Sequence, residues 1–257
     1  MELPGNKMDT ILPSIRSWSG NSHTRCTYDE IPGYWNEFDV ITFLIDLGMY
    51  HTSLYDLLDI REKKREHVFR TDYFKKRFIV SRSIIKQILV KIIKAENIAD
   101  IILYKKKTGQ ILVRGRKDIY LSLSYSGTSI AVSVAKRKIG NDIERVCPGD
   151  TRKIKSSPLV DPSKCRTKKE ESLHVLHVWT LVEACAKLRD RNPYPLLNSS
   201  TLLQDASFVS YCVDQHAIVS FACEGSPVHD TLLWIDPGCR LEASVVEHMT
   251  TSSPPLK

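Results

Sequence analysis

Two carboxylates stand one residue apart in the stretch Ile139-Gly140-Asn141-Asp142-Ile143-Glu144. The stretch reads as a strand, so Asp142 and Glu144 leave the same face while Ile143 points into the core. Acids projecting together repel unless a cation lies between them. A hard divalent ion such as magnesium, with oxygen ligands at about 2.1 Å, suits that position. Taken alone, the pair is more often the pattern of a solvated strand edge than of a metal site. Downstream, Trp179, Glu183 and Lys187 are spaced by four and stack along one helical face. That face offers a third carboxylate and, one turn on, a cation. An ordinary Glu-Lys pair beside a core tryptophan has the same spacing. His174 and His177 are three apart, but no cysteine or further histidine completes a ligand set, so structural or solvated roles are expected for them.

The elements that must carry these residues follow from periodicity. "FDVITFLIDL" has the β-branched and aromatic density of a strand, and "LLDIREKKREHVF" turns helical. In "DYFKKRFIVSRSIIKQILVKIIKA", Phe74, Phe78, Ile85, Leu89 and Ile92 recur at three, four or seven, which predicts an amphipathic helix with a basic exposed side. Extended segments follow, with turns at Thr108-Gly109 and Arg114-Gly115. Ile130, Val132 and Val134 alternate in a strand, and residues 139–144 are expected to run back as its hairpin partner. A Pro- and Lys-rich loop spans Cys147 to about Lys169. A helix is expected from about Leu173 to Arg189, then two strands near "SFVSYCV" and "AIVSFAC". Residues 1–37 read as an extension laid over the surface or mobile, 38–120 as a basic first half, 121–247 as a second half, and 248–257 as a tail. The fold class expected is α+β, with two similar halves, each an antiparallel sheet with one long helix.

The net charge is +7, yet residues 61–117 hold 18 Lys and Arg against five acids, leaving the rest of the chain at −6. From charge alone, nucleic acid is the first expectation for such a basic segment. The triple Lys105 to Lys107 is expected to be a solvated turn, and Tyr73, Phe74 and Phe78 to be core rather than a base-stacking platform. Seven scattered cysteines without a Cys-x-x-Cys pair suggest reduced thiols and a cytoplasmic location. The longest apolar run, near Ile41 to Leu47, is far short of the ~20 residues of a membrane span, and the first residues show no basic-then-apolar pattern, so a protein neither secreted nor membrane-spanning is expected.

In order, "RFIVSRSIIKQIL", "SLSYSG", "IGNDIE" and "WTLVEACAK" resemble the surfactin-type 4′-phosphopantetheinyl transferases. That family carries a basic helix with arginine, Ser-His-Ser, Gly-x-Asp-x-Glu and Trp-x-x-Lys-Glu-x-x-x-Lys. The likeness extends from about Asp39 to about Glu224, and it is the combination rather than any single motif that is specific. It implies an intramolecular pseudodimer, a monomeric enzyme, and Mg-dependent transfer of phosphopantetheine from coenzyme A to a serine of an acyl or peptidyl carrier protein. Such carriers serve fatty acid, polyketide or peptide synthesis.

By the same resemblance, Asp142, Glu144 and Glu183 hold magnesium, Glu183 accepts a proton, and Lys187 neutralises the diphosphate. Arg82 binds the coenzyme A 3′-phosphate, with Arg70 and Arg77 as additional cations, and Ser124 contacts a phosphate beside Tyr125. The pattern departs in three places: the family's histidine is Tyr125, its helix lysine is Val182, and Gly-Lys-Pro is Gly109-Gln110-Ile111. A phenol donates one hydrogen bond but carries no cationic charge, so weaker coenzyme A binding is expected. A non-catalytic binder of coenzyme A or carrier protein is the alternative. With these motifs in view, neither nucleic acid nor membrane is expected as a partner.

Overall fold

The computed structural model describes residues 14–18, 25–50, 52–106, 109–145, 152–161, 163, 165–198, 206–213, 216–225 and 228–235. Lys107, Thr108, Cys147, most of the expected extension before Ile15 and the tail 248–257 lie outside these residues. The described part is α+β. The elements that matter here are strands β1 (Ile15–Trp18), β2 (Arg25–Cys26), β3 (Val40–Asp46), β4 (Leu103–Lys105), β5 (Ile111–Val113), β6 (Tyr120–Ser126), β7 (Ser129–Ala135), β8 (Ile139–Arg145), β9 (Ala206–Val213), β10 (Ala217–Glu224) and β11 (Asp230–Ile235). The helices are α1 (Ile31–Glu37), α2 (Ile60–Glu66), α3 (Asp72–Ile93), α4 (Arg152–Lys155), α5 (Lys168–Leu188) and α6 (Pro193–Leu196).

Two sheets lie face to face. One has the strand order β2-β11-β3-β7-β6, the other β1-β9-β10-β8, and β4 and β5 form a separate pair. Alternation along β3 explains the layering. Ile41, Phe43 and Ile45 pack with Ile84, Ile88 and Leu89 of α3. Val40 and Leu44 pack instead with Ile139, Ile143, Val219 and Phe221 of the second sheet. α5 covers that sheet's outer face, where Val178, Val182 and Cys185 join Ala222 of β10 in a further cluster. The order of layers is therefore α3, five-stranded sheet, four-stranded sheet, α5.

Both long helices begin on a threonine cap. Thr71 accepts the amide of Phe74, and Thr167 accepts that of Glu170, satisfying donors that a helix start leaves unpaired. That cap starts α5 five residues before the expected Leu173. At its other end α3 stops on Lys94 in the left-handed region, φ 52°.

The expected hairpin between β7 and residues 139–144 does not form. Both edges of β7 are occupied, by β3 and β6, and β8 crosses to the other sheet to pair antiparallel with β10. The described part of the front extension is not merely laid on the surface: β1 adds to β9 and β2 to β11, both in parallel. β6 and β7, which follow residue 120, share a sheet with β3. Strand β11, unforeseen in the sequence, pairs in parallel with β3. The five described cysteines, Cys26, Cys165, Cys185, Cys212 and Cys223, form no disulfide among the described residues. Among the described residues no helix is long and apolar enough to cross a membrane.

Candidate functional site

β8 and α5 meet at unusually short range. A Cβ at Gly140 would stand 2.5 Å from the Leu188 amide nitrogen and would overlap the Ala184 carbonyl oxygen. Only glycine allows this seating, which sets the next residues of the same strand face, Asp142 and Glu144, beside the last turns of α5. Lys187 Nζ donates to Asp142 Oδ1 at 2.8 Å and to the Asn141 carbonyl at 2.9 Å, and lies 3.9 Å from Glu183 Oε2. α5 is held in this place by a buried hydroxyl network. Thr180 meets Ser220 at 2.7 Å, Ser220 meets Ser210 at 2.8 Å, and His177 Nε2 meets Ser210 at 3.0 Å. His177 is therefore a satisfied core histidine, its pKa pushed down to about 4 by burial and then by the charge of His174. His174 Nε2 accepts the amide of Asp161 at 3.1 Å.

The three acids share too little positive charge. Burial raises the pKa of Glu183 to about 7, with the charge of Asp142 adding to it and Lys187 opposing. Glu144 is raised by burial and by Asp142, against a hydrogen bond from Ser126 and the charge of Lys187. Asp142 Oδ2 is buried with no hydrogen-bond partner. Among the described residues no group of three or more His, Cys, Asp or Glu is gathered as a metal cluster. The chemistry nonetheless fits a cation: Asp142 Oδ2 is an unpartnered oxygen, and its two neighbouring carboxylates are raised by burial first and then by the charge of Asp142.

A second, cationic group is built on α2 and α3. Lys86, 1% exposed, takes Glu62 at 2.5 Å and the Leu57 carbonyl at 3.2 Å, with Asp59 at 3.7 Å. Asp59 and Glu62 are also the reciprocal cap of α2. One buried lysine thus fastens α2 to α3 and brings Arg65 towards Arg82. Arg82 is 5% exposed, and its Nη1 has no hydrogen-bond partner. Its pKa is lowered by burial, against the charge of Glu62. Lys105 is lowered by burial and by the charges of Arg65 and Arg82.

Arg77 is held differently. Its guanidinium lies 4.3 Å from the Tyr125 ring centre and 4.8 Å from that of Phe74. The Tyr125 hydroxyl meets Ser81 Oγ at 3.0 Å, and burial raises the phenol's pKa while Ser81 and the nearby arginines oppose the rise. The ring that replaces the expected histidine is thus a platform for an arginine.

One cleft of about 750 Å³ joins the two groups. Arg65, Arg77, Arg82 and Lys105 line it together with Asp142, Glu144, Glu183 and Lys187. The chain matches no protein-family model and no curated protein. Of the residues singled out in the sequence, Ser124, Tyr125 and all those just named except Arg65 and Lys105 were foreseen at the site, whereas Arg70 is exposed and outside the lining.

Ser124 lines the cleft, but its hydroxyl donates to Asp142 Oδ1 at 2.6 Å. Lys105, the last residue of β4, is exposed as expected but also lines the cleft, and the turn follows it at Lys106. Phe74 is 41% exposed and lines the cleft with Phe78, which is buried, while Tyr73 is also 41% exposed. Two of these three aromatics are thus not core, because the first turns of α3 run past the sheet. Val182 is wholly buried among apolar side chains of α5, so a lysine head at this position would be taken out of water. Asp190 and Arg191 line the cleft as well, and no sequence signal set them apart.

Proposed function

We propose that this chain transfers a phosphopantetheine-type arm from coenzyme A to a serine hydroxyl of a carrier protein, as a surfactin-type 4′-phosphopantetheinyl transferase. The observation that carries the reading is the single cleft with cations at one end and three carboxylates plus Lys187 at the other. Coenzyme A presents a 3′-phosphate and a diphosphate apart from each other, and the two groups of residues suit those two charges. Two packed sheets, each covered by one long helix, support an intramolecular pseudodimer as the architecture.

In this reading Arg82, with Arg65 and Lys105, receives the 3′-phosphate through the unpartnered Nη1 of Arg82. Arg77 presents a second guanidinium, held over the rings of Tyr125 and Phe74. Asp142, Glu144 and Glu183 would hold magnesium, which when bound supplies charge neutralisation and alignment of the diphosphate. Glu183, with a pKa of about 7, is placed to take the proton of the incoming serine hydroxyl at its carboxylate. Lys187 Nζ stabilises negative charge on the leaving diphosphate oxygen. The serine oxygen bonds to the β-phosphorus, the bond from that phosphorus to the bridging oxygen breaks, and adenosine 3′,5′-bisphosphate leaves.

Mass spectrometry of apo carrier proteins incubated with coenzyme A and magnesium tests this directly. The expected result is a gain of about 340 Da on one serine, lost in Asp142→Ala. No gain on fatty acid, polyketide or peptide carrier proteins refutes the activity. Measurable coenzyme A binding without product would favour the non-catalytic alternative, for which the replacements at Tyr125 and Val182 are the motivation.

A further inference from the structure

The seam between the two sheets is stitched by side chains rather than by a backbone ladder. β8 pairs with β10 on one side only. On its free side the amides of Asn141, Ile143 and Arg145 donate to the hydroxyls of Ser122, Ser124 and Ser126 of β6, at 2.8, 3.2 and 3.0 Å. Three serines two apart meet three amides two apart, so the period of one strand reads that of the other.

A hydroxyl that accepts still has one hydrogen to give. Ser124 gives it to Asp142 Oδ1 at 2.6 Å, and Ser126 gives it to Glu144 Oε2 at 2.9 Å. Each of these serines therefore grips a β8 residue's side chain and the following residue's amide at once. Rotation of either carboxylate would break its bond to the serine. Asp142 Oδ1 is further fixed by Lys187, which leaves Oδ2 as the unpartnered atom. Ser122 differs in one respect: its hydroxyl accepts an amide in the same way but makes no bond to a carboxylate among the described residues.

We propose that Ser124 and Ser126 are positioning residues that pre-orient Asp142 and Glu144 for a divalent cation, so that the ligand geometry is set by the docking of one sheet on the other. The inference rests on the reading that these carboxylates hold such a cation. It gives Ser124 a different role from the phosphate contact that the resemblance implies. Outer-shell partners of this kind act by fixing ligand direction, and their loss weakens metal affinity by about 10- to 100-fold.

The test is calorimetric titration of magnesium into the full chain, with thermal unfolding recorded in parallel, for wild type, Ser122→Ala, Ser126→Ala and Ser126→Thr. Wild type is expected to bind. Ser126→Ala should bind about tenfold more weakly, and Ser126→Thr, which restores the hydroxyl, should return to near wild type. Ser122→Ala should lower the melting temperature while leaving magnesium affinity unchanged, since it removes an amide acceptor without freeing a carboxylate. Wild-type affinity in Ser126→Ala would overturn the positioning role and leave the metal reading standing. Equal weakening in Ser122→Ala and Ser126→Ala would overturn it too, because a general loosening of the seam would then suffice. If wild type binds no magnesium, the metal reading fails and the inference falls with it, an outcome visible in the wild-type titration alone.

Discussion

Replacing Gly140 by alanine tests the contact on which the acidic end depends. The added carbon would stand 2.5 Å from the Leu188 nitrogen and 3.0 Å from Lys187 Cβ, and would overlap the Ala184 oxygen, whereas ordinary contact begins at about 3.4 Å. Two of the three obstacles are backbone atoms, which no side-chain rotation can move. α5 must therefore retreat from β8 by about 1 Å, at a cost of about 3 kcal/mol, the upper end for overpacking a well-filled interior. For a chain of this size the melting temperature should fall by about 10 °C. Urea unfolding followed by tryptophan fluorescence measures the loss. The retreat also carries Glu183 and Lys187 away from Asp142, and a displacement of that size costs about 10²-fold in transfer rate if the site works as proposed. Gly33→Ala is the matched comparison: Gly33 lies in α1 with no atom within 4 Å of an added Cβ, so helix propensity should stabilise the protein by up to about 1 kcal/mol. A Gly140→Ala protein within 1 kcal/mol of wild type would refute the seating of α5 on β8.

His177 should make stability depend on pH in the acid range. Its folded pKa of about 4 lies below the 6.5 of a free imidazole, so between these values the unfolded chain binds a proton that the folded chain does not. Stability contributed by the neutral ring is present above about pH 6.5 and falls as pH drops towards 4, by about 3 kcal/mol over the interval. Urea midpoints from pH 7 to 4.5 should show the slope, and His177→Gln should flatten it; an unchanged slope assigns the effect elsewhere. Arg82→Met removes the buried donor with the free Nη1, and a charged hydrogen bond is worth about 1.5–3 kcal/mol. KM for coenzyme A should rise about 10- to 100-fold while that for 3′-dephospho-coenzyme A stays nearly constant; equal rises for both would place the phosphate elsewhere. Tyr125→Phe keeps the ring beneath Arg77 and should bind coenzyme A nearly as wild type does, whereas Tyr125→Leu should lose about fivefold, in the range of one cation–π contact. Equal losses in the two variants would mean that the hydroxyl, not the stack, matters.

What the sequence made legible were faces, and what it hid were edges. Alternation in β7, and the spacing of two between Asp142 and Glu144 in β8, told which side chains share a side, and the structure does put Asp142 and Glu144 on one face of β8 beside α5. It carried no information on which strand would lie beside β8, because the crossover to β10 is decided by β3 and β6 having taken both edges of β7. Parallel pairings such as β11 with β3 and β1 with β9 leave no turn signature, since their partners are far apart in the chain. The same logic governs the site. Glu183 and Lys187 are readable from a spacing of four on one helix. Arg65 is not, for its approach to Arg82 follows from the buried Lys86 drawing α2 onto α3 through Glu62, and Lys105 comes from the separate β4–β5 pair. Tyr125 shows how residue type alone misleads. Compared with a histidine it is a lost charge, yet in place it supports the guanidinium of Arg77.

The two ends of the cleft are electrostatically incomplete in opposite senses. At one end burial, and then Arg65 and Arg82, push down the pKa of Lys105, and Arg82 Nη1 is a buried donor with nothing to accept it. At the other end burial, and then Asp142, push up Glu144 and Glu183, with Lys187 the opposing cation for both. Arg82 and Asp142 are both buried, so solvent screens these two charges least, whereas Arg65 and Lys105 are exposed. Folding alone would favour neutralising each end with local partners, as it does at Lys86, where Glu62 and Asp59 surround the ammonium. The same α2 and α3 thus surround the Lys86 ammonium with acids and leave Nη1 of Arg82 without an acceptor, which is why the proposed function gives Arg82 a ligand. A ligand that is anionic along its length, entering with a metal cation at its far end, would relieve both imbalances in one binding event, and neither a simple cation nor a simple anion would.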